Sequence, residues 1–70
     1  MNQSQKKELE YLHTCVKNNT EKLVNQKPSA EQLVSFVKSK GMSLLMGNTS
    51  SQNIVDMCTA LITYKVLQSK

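Results

Sequence analysis

The stretch "SSQNIVDMCTALITYKVLQ", Ser50 to Gln68, decides how this chain must fold, because it is apolar on nearly every side. At roughly 100° per residue, its apolar arc runs from Leu67 through Tyr64, Met57, Leu61, Ile54, Cys58, Ile62 and Val55 to Val66 and spans about 260°. Asp56, Thr59, Thr63 and Lys70 are left as the polar strip. One neighbouring helix layer cannot cover so wide an arc. Either this helix is central among its own neighbours, or part of its surface meets a second chain. A second chain, in a symmetric homodimer, is the favoured solution, because the rest of the sequence offers only narrow partners.

Those partners are themselves helices. A single proline and two glycines punctuate the chain, and no stretch alternates apolar and polar residues as a half-buried strand would. The expected fold is therefore all-α: one domain over residues 1–70, a small bundle of three to four helices near 5–26, 30–40, a short turn at 43–46, and 50–69. In the first helix Ser4 reads as the N-cap, and Leu9, Leu12, Val16 and Leu23 fall within about 60° of one another, a narrow seam. "KNNTEK" is a point where this helix could break. Lys27 and Pro28 mark the next boundary, since proline disfavours a helical residue before it. Ser29 with Gln32 then forms a capping box, and Ala30, Leu33, Val34, Phe36 and Val37 share one face. Gly41 stands where a left-handed C-cap is expected, and Gly47 with Asn48 ends the short turn that follows. Thr49 with Gln52 is a second capping-box pair, with Ser50 and Ser51 as alternative caps.

The candidate interface lies on the two flanks of the last helix. Ile62, Val55 and Val66 form one flank, and Tyr64, Ala60 and Leu67 the other. Ile54, Leu61 and Cys58 between them are expected to pack inside the monomer. Lys65 projects into the middle of the apolar arc, where its stem can lie over apolar atoms while its ammonium reaches water. At an interface the same ammonium would meet an acidic group of the partner.

Length and composition agree with assembly. A chain of 70 residues buries only about 60% of its unfolded surface, so its core is marginal without a disulfide, a metal or another subunit. Two cysteines, Cys15 and Cys58, fall far short of a secreted disulfide scaffold. The polar start "MNQSQKKELEYL" has no apolar signal-peptide core, and Met57 to Leu67 is too short to span a bilayer, which takes about 20 apolar residues. The expected location is the cytoplasm, with no membrane span.

Chemistry is sparse, and no enzyme activity, metal or cofactor is expected. His13 is the single histidine, and its spacing from Cys15 puts the two on different sides of a helix. A structural zinc site needs four Cys or His ligands, and this chain has three in total. No Gly-Lys-Ser/Thr follows either glycine, so no phosphate-binding loop is present. Glu8, Glu10, Glu21 and Glu31 stand where helical surface charges ordinarily stand, while Asp56 lies early in the last helix, where the dipole favours a negative charge.

Three functional classes remain. The first is a non-enzymatic interaction protein, a small helical homodimer that regulates or inhibits a larger protein. In plan, with a helix, a "KPS" break, a short amphipathic helix and a long apolar last helix, the chain resembles small bacterial and phage regulators of the enteric biofilm and acid-stress type. The resemblance is one of arrangement and carries no residue with it. The second is weak nucleic-acid binding through lysines, given the net charge of +4. Its lysines are dispersed among acids and there is no arginine, the residue that best reads guanine and grips phosphate. A helix-turn-helix starting at Ala30 would aim "SLLMG" at the bases, and leucine and methionine cannot read base edges. The third is an immunity protein against a membrane-active bacteriocin, which this chain resembles only as a short, lysine-rich helical bundle.

Overall fold

The computed structural model describes residues 1–69 as three helices, α1 Gln3–Gln26, α2 Ala30–Leu45 and α3 Ser51–Gln68. Lys70, the last member of the expected polar strip, lies outside the described residues.

The helix ends follow local side-chain chemistry. α1 starts two residues earlier than Ser4 would place it, because Asn2 makes a full capping box: its side-chain Oδ1 accepts from the Gln5 backbone amide at 2.8 Å and Gln5 Oε1 accepts from the Asn2 backbone amide at 3.1 Å. The helix then runs unbroken through "KNNTEK" to a left-handed Lys27 (φ 51°), whose amide bonds the Val24 carbonyl just before Pro28. Ser29 and Gln32 form the expected capping box of α2. α3 is capped by Ser50, which accepts from the Asn53 amide at 3.3 Å, and not by a Thr49–Gln52 box. Gln52 instead donates to Asp56 Oδ1 at 2.7 Å.

α2 does not stop at Gly41. It continues for another turn, absorbing the expected 43–46 turn, and ends in a Schellman motif around Gly47, whose φ is +101°. The Gly47 amide bonds the Leu44 carbonyl at 3.0 Å and the Asn48 amide reaches the Ser43 carbonyl at 2.9 Å. The extension is worth making because it carries Leu44 onto the line of Leu33, Val37 and Lys40, the covered side of α2. The two glycines should therefore respond oppositely to alanine. At Gly41 an added methyl meets open space inside a helix, so Gly41→Ala is expected to stabilise by about 0.5–1 kcal/mol. At Gly47 the positive φ makes Gly47→Ala destabilising by about 1 kcal/mol or more. Urea denaturation of the two variants checks the opposed signs.

α3 is the centre of the molecule: α1 and α2 each pack against it and not against each other. The side it turns towards them is its polar strip. Thr63 and Ala60 have no exposed surface at all, and Thr59 and Val55 are buried beside them. Small side chains let two helices approach one strip closely, and threonine can hide its polarity there by bonding its own helix. Thr63 does so, donating to the Thr59 carbonyl at 2.7 Å. Ile54 and Leu61, expected inside the monomer, are instead 38% and 50% exposed, because the polar strip takes the covered side. Cys58 is half-buried.

A polar clamp fixes α3 against the end of α2. The buried Asn53 side chain donates through Nδ2 to the Lys40 carbonyl at 3.1 Å and the Asn48 carbonyl at 3.2 Å. Lys40 reaches Asp56 at 3.2 Å while lying over the Phe36 ring, 5.2 Å from its centroid. Asp56 therefore serves as one half of an inter-helix ion pair as well as sitting in the early turns of α3.

Candidate protein-interaction surface

Because α1 and α2 flank α3 on one side, its other side is open. Ile54, Leu61, Ile62 and Tyr64 are all exposed there, and Met57 and Cys58 are half-exposed between them. Where this face meets α2 it forms an apolar groove of about 320 Å³, lined by Leu33, Val34, Val37, Lys38, Leu61 and Tyr64. Lys38 is the sole charge in that lining. On the opposite side of the molecule, Asn19, Lys22, Leu23, Gln26, Phe36, Asp56 and Thr59 line a smaller, more polar depression of about 190 Å³.

The residues expected at an interface divide between the two sides of α3. Ile62, Tyr64 and Lys65 are exposed on the open face, while Val66 and Leu67 are half-buried near the C-terminal end of α3, in line with its covered residues. Val55 and Ala60 are covered within the chain itself and are not available to a partner in this arrangement. Ile54 and Leu61, assigned to the interior from the helical wheel, are central members of the open face. Apolarity could not single them out, since α3 is apolar nearly all round. The usable signal was size: Thr59, Ala60 and Thr63 are the small residues that mark where neighbouring helices come close.

The chain exposes 5386 Å², against about 4,400 Å² for a compact protein of 7.9 kDa, an excess of roughly 1,000 Å². Its radius of gyration is 13.0 Å, where about 11 Å is typical of this length. The molecule is also flat, 38 × 27 × 16 Å. A standard protein interface covers about 800 Å² on each partner, so the excess is of the size that one such contact removes.

Among the described residues, no group of three His, Cys, Asp or Glu side chains converges as a metal site would require. His13 is exposed, and Cys15 and Cys58 are free and half-buried. The lysines of α1 and its cap, Lys6, Lys7, Lys17, Lys22 and Lys27, are exposed along the whole helix, while Lys40 is held by Asp56. None of the described helices is long and apolar enough to cross a membrane. Neither a protein-family model nor a curated protein nor a solved structure matches this chain.

Proposed function

We propose that this chain is a non-enzymatic interaction protein that assembles as a homodimer through the open face of α3 and acts as a regulator or inhibitor by protein contact. The observation that carries the reading is the orientation of α3, which spends its small polar residues on its own neighbours and leaves Ile54, Leu61, Ile62 and Tyr64 uncovered. Apolar patches of this kind on a small domain mark contact surfaces. Enzymatic chemistry has no comparable support, because the groove beside the patch is lined by four aliphatic side chains, the Tyr64 phenol and the Lys38 ammonium, with no further titratable group there to activate either.

Sedimentation equilibrium of the wild-type chain tests the assembly. At roughly tens of micromolar, where an obligate dimer persists, the expected mass is twice the 7.9 kDa of one chain. A single-chain mass across that range refutes the homodimer.

A further inference from the structure

Resting on self-association through this face, we propose that its occupant is the N-terminal end of α1 from a second copy, docked reciprocally so that each copy gives one overhang and receives one. α1 has 24 residues against 18 in α3, so at about 1.5 Å per residue it is longer by roughly 9 Å. Every residue from Met1 to Tyr11 is exposed, and α1 first gains cover at Leu12. A free helical end of two to three turns is marginal in water unless something packs on it.

This end carries its own apolar stripe. Leu9, 53% exposed, lies with Met1 and Leu12 in a shallow depression completed by Gln5 and Glu8. The stripe has one side-chain carboxylate, Glu8, in its lining and no side-chain cation, with the Met1 ammonium standing beside it. The α2–α3 groove has the reverse, one ammonium from Lys38 and no carboxylate. The two uncovered apolar surfaces carry one side-chain charge each, Glu8 and Lys38, of opposite sign, and a two-fold axis lets both Glu8–Lys38 pairs form at once. Lys6 and Lys7 also lie on the overhang but do not line its stripe.

The competing arrangement is α3 against its own symmetry mate. That packing sets exposed Lys65 on an apolar face without a counter-charge, since Asp56, the sole carboxylate of α3, is already paired with Lys40 at 3.2 Å. The overhang brings Glu8 and Glu10 together with Lys6 and Lys7, and draws on surface left exposed in the single chain.

Light scattering and circular dichroism on full-length variants test the arrangement. Leu9→Glu is expected to keep its helical signal, because the side chain is largely solvent-exposed, yet to weaken association by roughly thirtyfold or more, as loss of a buried anchor does. Glu8→Lys and Lys38→Glu should each weaken it about tenfold, and the double reversal should recover most of that loss. Retention of wild-type affinity by Leu9→Glu, while Leu61→Glu becomes a single chain, overturns the overhang and leaves the homodimer standing on an α3–α3 contact. No recovery in the double reversal also overturns it. A wild type that is itself a single chain removes both this proposal and the homodimer.

Discussion

Leu61→Glu is expected to convert the assembled protein to single chains while leaving its helical circular dichroism intact. Leu61 is 50% exposed in the lone chain, at the α2–α3 groove, so a carboxylate there can stay solvated while the buried residues Leu33, Ala60 and Thr63 keep their packing. At an interface the same carboxylate is desolvated, and an unpaired buried charge costs about 3–5 kcal/mol, more than a hundredfold in dissociation constant. Light scattering with parallel circular dichroism reads both quantities on one sample. Helix-wheel reasoning alone places Leu61 in the monomer core and predicts the opposite pattern, loss of fold. Unfolding of Leu61→Glu would therefore count against the orientation of α3 described here, and an unchanged mass against the open face as the contact.

The largest loss of stability is expected at Leu33. At 3% exposed it is the one buried residue of α2 among the described residues, and it lines the groove between α2 and α3 with Leu61 and Tyr64. Leu33→Ala removes that side chain from a packed site at a cost of about 2–5 kcal/mol. A single small core of this size supplies only about 3–5 kcal/mol in total, so the variant should be largely unfolded, with most of its helical signal gone before any denaturant is added. Leu45→Ala is the matched control. Leu45 is on the same helix and almost fully exposed, and its loss should stay within about 0.5 kcal/mol of neutral. Equal effects at the two positions would mean that Leu33 is not the packing centre of α2.

The sequence by itself determined that the chain is helical, where its main breaks fall and that α3 has more apolar surface than one neighbour can cover. These features are local. A capping box such as Ser29–Gln32 is closed by residues three apart, and Lys27–Pro28 interrupts a helix through the proline ring and the left-handed residue before it. The missed boundary at Gly41 shows where local reasoning ends: two glycines six residues apart both offer a C-cap, and the choice of Gly47 follows from Leu44 gaining a place on the covered side of α2. The direction in which α3 faces was decided only by the tertiary structure. Hydrophobicity is non-directional and scales with area, so a helix apolar around most of its circumference has no preferred side on that measure. Steric fit does have a side. Two helices close in on the strip where Thr59, Ala60 and Thr63 leave room, Thr63 bonds its own backbone, and the large residues Ile54 and Leu61 are left outward.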